Sequence, residues 1–452
     1  MARRYETDMC NGPLFGKIIK FTIPLIAAGI LQLLFNTADM VVVGRYAGSN
    51  ALGAVGATSS LINLLINVFM GLSVGANVSV AHYYGAGKHK ELSRAIHTSI
   101  SLSILCGIFL LILGQLISAP MLTLMGTPED ILPLSVSYMK IYFLGMPMML
   151  LYNFGAAILR SVGDTRRPLY FLLAAGFINI VLNLIFVIRF HMSVRGVAWA
   201  TIISQTVSAI LIVRCLIKND GPCKLVLKEL CLDKREAVRI ARIGLPAGFQ
   251  GAVFSISNVL IQSSVNSFGA VAVAGNTATS NIEGFIYNSM NAFHQTTLSF
   301  TGQNMGAGKY DRVKRILIIC LLSVTATGLT MGLTARMFGR QLLSIYSTET
   351  AVIDYGMKRM NIIFPTYFLC GTMEVVVGSL RGMGYSVMPM TVSLLGACGL
   401  RIVWIMTIFS AYHTPAVLYS SYPVSWLVTF SIHLCCFAFI ARKRLVEGKP
   451  QC

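Results

Sequence analysis

Three carboxylates in this chain stand where a carboxylate is costly. Asp39 lies inside the apolar run from Pro24 to Arg45, PLIAAGILQLLFNTADMVVVGR, and Glu283 and Glu374 lie inside later apolar stretches. The other fourteen of the 17 Asp and Glu residues sit in tails, connections or the ends of apolar stretches, which makes these three selective. A charge in hydrocarbon costs about 3 kcal/mol or more, so the default reading is an ion or proton site facing a cavity or partner helices. Asn179 and Asn183 are one helical turn apart and share a face. Thr201 lies about two turns into the next apolar stretch. Carboxylate, amide and hydroxyl oxygens are what a hard cation such as Na⁺ prefers, and a lone Asp can simply take a proton. Asp39, Asn179, Asn183 and Thr201 therefore form the candidate cation site, at one height in the outer leaflet. Interhelical hydrogen bonding is the plainer reading of the Asn pair. Glu283, Glu374 and the deep cation Arg401 are expected to line a substrate cavity. Pro24 removes one backbone hydrogen bond, so its helix can bend at little further cost. Na⁺ or H⁺ is the only ion expected, and no cofactor is.

The elements that position these residues follow from composition. The chain has 452 residues, 55% hydrophobic and only 12% charged, with a mean hydropathy of +0.70. A soluble protein of this size has no use for so much apolar surface. The length matches about twelve membrane spans of roughly 25 residues, an all-α polytopic membrane protein. The spans are placed at 18–43, 52–80, 93–117, 132–158, 167–188, 195–217, 239–265, 272–301, 313–337, 354–380, 387–410 and 416–441. The first apolar run is too long for a cleavable signal and lacks a small-residue cleavage site.

The net charge of +19 could suggest nucleic acid. Its distribution argues otherwise, because Lys and Arg fall in alternate connections: Arg3 to Lys20, Lys88 to Arg94, Arg160 to Arg167, Lys218 to Arg242, Lys309 to Arg315 and Arg442 to Arg444. That alternation is the positive-inside pattern and places both termini in the cytoplasm. A nucleic-acid binder would gather its basic residues on one soluble face. None of the eleven Cys falls in an external connection and no CxxC pair occurs, so they are read as reduced and structural. No Ser/His/Asp or metal constellation points to an enzyme.

The two halves share a register offset by 221 residues, as between Gly85 and Gly306 of the repeated GAGK. Leu159-Arg160 with Gly163 and Pro168 recurs as Leu380-Arg381 with Gly384 and Pro389. Six spans per half give parallel repeats, the plan transporters use for alternating access. The halves are taken as residues 1–217 and 239–452. Between them, 218–238 is read as an amphipathic cytoplasmic linker lying along the headgroups. The GAGK turns are read as tight cytoplasmic turns, since the phosphate-loop pattern is absent.

With these residues in view, the chain resembles the MATE (multidrug and toxic compound extrusion) transporters. The stretches that carry the likeness are IPLIAAGILQLLFNTADMVVVGRYAG, LRSVGDTRRP, INIVLNLIFV, GLPAGFQ, TGQNMGAGK and LRGMGYSVMP. The resemblance implies two six-helix lobes in a V shape and cation-coupled antiport. It also implies an amino-lobe cation site at Asp39, Asn179, Asn183 and Thr201, where some members carry an Asp at the position of Asn183. The expected partners are small organic cations or amphipathic drugs and the lipid bilayer. The expected place is the cytoplasmic membrane, with the chain functioning as a monomer. The rivals are a lipid-linked oligosaccharide flippase of the same superfamily and a non-transporting scaffold.

The charge alternation sets a topology that labelling can read. Single Cys probes at Gly126 and Ser193, in a Cys-depleted background, should react with an impermeant reagent from outside. Reaction of either site only after permeabilisation overturns the assignment.

Overall fold

The computed structural model describes residues 5–447, with side chains to Lys443. Arg3, Arg4 and the side chain of Arg444, counted in the charge alternation, lie outside them. The described residues form helices and connections without a strand. The first half comprises α1 (Leu14–Tyr46), α2 (Ser49–Gly85), α3 (His89–Leu124), α4 (Leu132–Leu144), α5 (Met146–Ser161), α6 (Arg166–Asn183) and α7 (Ser193–Ile217). The second comprises α8 (Lys234–Asn266), α9 (Ala270–Gly306), α10 (Tyr310–Met337), α11 (Gly339–Ser344), α12 (Thr350–Thr366), α13 (Phe368–Gly382), α14 (Val387–Ser393), α15 (Leu400–Trp404) and α16 (Pro415–Glu447).

Nine segments among the described residues are long and apolar enough to cross a bilayer, and two bent pairs bring the number to eleven. The twelfth expected span is α9, which has the length but carries Asn276, Ser280, Asn281, Glu283, Asn288 and Asn291 along it. Two expected spans are not straight: α4 and α5 meet at 48°, and α12 and α13 at 45°. Proline is the cause in both. Pro147 opens α5 and Pro365 sits at the end of α12, each removing one donor from the helical ladder. π-helical turns at Leu184–Arg189 and Ile405–Phe409 occupy matching positions of the two repeats, and a third lies at Leu394–Gly399.

The chain divides into two compact units that do not follow the sequence midpoint. Among the described residues, one contains residues 5–8 and 30–248 and the other residues 9–29 and 249–447. Thus α1 gives its first half to the second unit, and α8 gives its first half to the first. Within the second unit Phe21 packs edge-on against Phe300 at 5.4 Å, and the hydroxyls of Thr22 and Thr296 bond at 2.8 Å. Within the first unit the start of α8 lies against α2 through four glycines, Gly71, Gly75, Gly244 and Gly248. A Cβ at Gly75 would come within 2.1 Å of the Ile240 carbonyl oxygen, and one at Gly248 within 2.2 Å of that of Val68. Backbones this close are what small residues at four-residue spacing permit. Below the glycines Tyr83 donates to Glu236 at 2.7 Å, and Arg239 donates to Tyr83 at 2.7 Å while stacking on its ring.

The segment 218–238, expected as a linker along the headgroups, packs in part against the first unit. Before α8 it holds only the short 3₁₀ turn Leu227–Glu229, and Cys223 and Leu225 are buried in the first unit with Leu92 and Ile96. The amphipathic pattern serves protein packing here. His97 fixes the segment, its Nε2 accepting from the Val226 N–H at 3.1 Å while its Nδ1 faces the Ser93 carbonyl at 2.7 Å.

The glycine contact carries a stability prediction. Gly75→Leu should destabilise the protein by about 3 kcal/mol or more through overpacking. Gly56→Ala, on the same helix with open space around it, should not. Thermal unfolding of the two variants in detergent checks this, and equal melting temperatures refute the tight contact.

Candidate functional site

In the first unit, the second half of α1 meets the end of α6. Gly176 makes the approach possible, because a Cβ there would overlap the Phe35 ring at 1.9 Å. One turn on from Phe35, Asp39 faces the Asn pair. Asn183 donates through Nδ2 to Asp39 Oδ1, and the same nitrogen lies 3.3 Å from Asn179 Oδ1. Both amides are buried. The amide orientation follows from the carboxylate, since an oxygen turned toward Asp39 would be repelled. That leaves Asn183 Oδ1 enclosed without a donor among the described residues. Immediately after Asn183 the π-helical turn at Leu184–Arg189 begins, a feature that recurs where side chains are re-aimed.

The structure thus joins Asp39, Asn179 and Asn183. Thr201 donates its hydroxyl to its own Val197 carbonyl at 2.9 Å, and no hydrogen bond ties it to Asp39 among the described residues. Two residues were missed by the sequence reading: Tyr138 and Tyr142 of α4, which lie within electrostatic range of Asp39. Their rings are 5.9 Å apart. The signal was available, since they repeat the four-residue spacing of the Asn pair.

The second unit holds no copy of this arrangement. At the 221-residue offset Asp39 is matched by Leu260, Asn183 by Trp404 and Thr201 by Tyr422. Its charges sit elsewhere. Glu283 accepts from Arg359, whose guanidinium also donates to Asn276 Oδ1 at 2.5 Å and to Ser280 at 2.6 Å. Tyr419 donates to the same Asn276 oxygen at 3.1 Å. Glu374 lies 3.4 Å from His294, and the His294 Nδ1 lies 2.8 Å from the Glu374 backbone carbonyl. Arg381 donates to Gln250 at 2.8 Å. Arg401 donates through Nε to Ser425 at 2.8 Å and stacks over Tyr422. Of the three residues expected to line a cavity, both acids therefore already face basic side chains. Pro24 is inside α1 as expected, in the half that belongs to the second unit.

Two repeats of apolar helices, with charges held at membrane depth on partner helices, define a multi-pass membrane transport protein rather than an enzyme. The MatE family model matches residues 24–185 and 246–407, once in each repeat, and the chain belongs to that family. It is 26% identical over 435 residues to the probable multidrug resistance protein YoeA of Bacillus subtilis (strain 168), covering 94% of each chain. It is 23% identical to a FAD transporter of Shewanella oneidensis, covering 88% of each. A solved multidrug resistance MATE family transporter of the MOP superfamily, in an outward-facing conformation, shares the fold. Its TM-score is 0.87 at 21% identity, over 95% of this chain and 96% of that one.

The Glu283–Arg359 pair makes a direct prediction. Arg359→Met leaves a partly buried carboxylate uncompensated and should cost about 3 to 5 kcal/mol. Adding Glu283→Gln to it should recover part of that loss. Thermal unfolding of the two single variants and the double variant reads the coupling. Additive effects would show that the pair is not coupled.

Proposed function

We propose that this chain is a secondary antiporter of the cytoplasmic membrane. It exports amphipathic small organic molecules, cationic ones among them, in exchange for inward Na⁺ or H⁺. The observation that carries the reading is the Asp39–Asn183–Asn179 arrangement: a carboxylate in an apolar helix bonded to one amide, with a second amide beside it. The enclosed oxygen of Asn183 has no donor among the described residues and adds a ligand of the type Na⁺ prefers. The names of the curated relatives support export of drugs, and the Lys/Arg alternation supports cytoplasmic termini.

Ionised Asp39 needs a positive or hydrogen-bonding partner, and a proton or Na⁺ can each satisfy it, so the two compete for one carboxylate. The occupied and empty site favour different arrangements of the surrounding helices. Because α1 contains Pro24 and contributes to both units, a bend in it can link occupancy at Asp39 to the state of the substrate path. That is a population shift driven by differential binding. The protein functions as a monomer in this reading, since each unit contains its own charge network.

The test is initial efflux of a fluorescent organic cation from proteoliposomes, with Na⁺ and pH gradients imposed separately. Asp39→Asn, which mimics the permanently protonated form, should abolish gradient dependence while expression is kept. Asn183→Ala should raise the half-saturating coupling-ion concentration about three- to tenfold, the effect of one hydrogen bond of roughly 1 kcal/mol. Equal gradient dependence in wild type and Asp39→Asn sinks the coupling role.

A further inference from the structure

Among the described residues the second unit holds three buried arginines, Arg359, Arg381 and Arg401, against the two inward carboxylates Glu283 and Glu374. One positive charge is left over, and the geometry says where it resides. Arg359 is taken up by Glu283, Asn276 and Ser280. Arg381 bonds Gln250 and lies within electrostatic range of Glu374. Arg401 has no carboxylate within ion-pair distance among the described residues. It is only 4% exposed.

Its surroundings hold it in place without neutralising it. The Nε donates to Ser425 Oγ at 2.8 Å, and the Ser425 hydroxyl in turn donates to the Tyr422 carbonyl at 2.8 Å, so its lone pair faces the arginine. The guanidinium carbon Cζ lies 4.3 Å from the Tyr422 ring centre and 5.6 Å from that of Trp426. A guanidinium carries five N–H donors. The four on its terminal nitrogens make no hydrogen bond among the described residues. The ring contacts offset only part of the cost of holding the charge away from water. They also do nothing for four idle donors. A residue serving only to pack would more cheaply be apolar.

Arg401 faces inward. Cys370 and Tyr422 lie within electrostatic range of it and of Glu283 together. The short helix that carries it is flanked by π-helical turns at Leu394–Gly399 and Ile405–Phe409, each of which rotates the face presented by the next turn. Beside it Tyr422, Trp426 and Tyr367 pack edge to face, with centroids 5.5 and 5.2 Å apart, in a rigid aromatic wall.

We propose that Arg401 is an anion-recognising subsite inside the second unit, taking the carboxylate of an aromatic amphipathic substrate whose rings lie against the Tyr422–Trp426 wall. The terminal nitrogens offer the two parallel donors that a carboxylate accepts bidentately. The proposal rests on the reading of the chain as a small-molecule exporter and specifies a class within it: substrates bearing an acid as well as an apolar body. Glu283 and Glu374, set against Arg359 and Arg381, leave Arg401 as the unmatched charge available to a ligand.

Equilibrium binding to the purified full-length protein in detergent tests this without any gradient. The probes are naphthoate, the isosteric naphthamide and naphthylmethylammonium. Wild type should bind naphthoate about tenfold more tightly than naphthamide, the effect of one charge-assisted bond, and the ammonium most weakly. Arg401→Gln should erase the preference and Arg401→Lys should keep part of it. If Arg401→Gln does not fold, Ser425→Ala, which frees the Nε, should reduce the preference instead. Equal affinity for the three probes, no binding by any, or a preference that survives both Arg401→Gln and Ser425→Ala overturns the assignment. Asp39→Asn should retain the carboxylate preference, so a failure of coupling and a failure of this subsite are read separately.

Discussion

An ionised side chain at membrane depth must replace its lost water with protein groups, or it costs about 3 kcal/mol or more. The two units meet that demand in different ways. The first meets it with neutral amides: Asp39 rests on Asn183, which rests near Asn179, and no cation joins them by an ion pair among the described residues. Such a carboxylate is met by neutral dipoles alone. The second meets it with ion pairs and polar donors, Glu283 on Arg359 and Glu374 beside His294. Helix positions follow from these pairings. Gly176 lets Phe35 seat so that Asp39 comes within reach of Asn183, and Asn276 serves Arg359 and Tyr419 at once.

The repeat is a repeat of backbone more than of chemistry. The paired π-helical turns at Leu184–Arg189 and Ile405–Phe409 and the paired bent spans keep the 221-residue register closely. The polar residues do not: Leu260 stands where Asp39 would be and Ile180 where Arg401 would be. Duplication supplied two similar helical frames. Substitution at a few inward positions then gave one frame a lone acid and the other a surplus base.

Much of this was legible before any coordinates. Apolar runs of bilayer length show the spans, and Asp39 and the Asn pair announce themselves because such residues are rare in hydrocarbon. The bends at Gly145 and Tyr367 were less visible, because Pro147 and Pro365 can be tolerated in a straight membrane helix when neighbours supply the missing bonds. The partner of Glu283 could not be chosen from sequence. Arg359, Arg401 and Lys358 were all within the relevant stretches, and only packing separates them. Nor does hydropathy reveal which helices a span packs against, so the division of α1 at residue 29 and of α8 at residue 248 was hidden. The packing of the 218–238 segment was hidden for a related reason: the same amphipathic pattern suits a headgroup surface and a protein groove.

The division of α1 bears on how the protein is made. Thr22 is hydrogen-bonded to Thr296, 274 residues further along the chain. Synthesis at about 5–20 residues per second puts roughly 15–55 s between the appearance of the first helix and of its partner. During that interval the first half of α1, with Phe21 and Thr22, has only lipid or the host's insertion machinery for company. Residues 234–248 have no such wait, because α2 is already in the membrane when they emerge. The first unit can therefore close while the chain is still being threaded, whereas the second must fold around a helix that was made first and finished last.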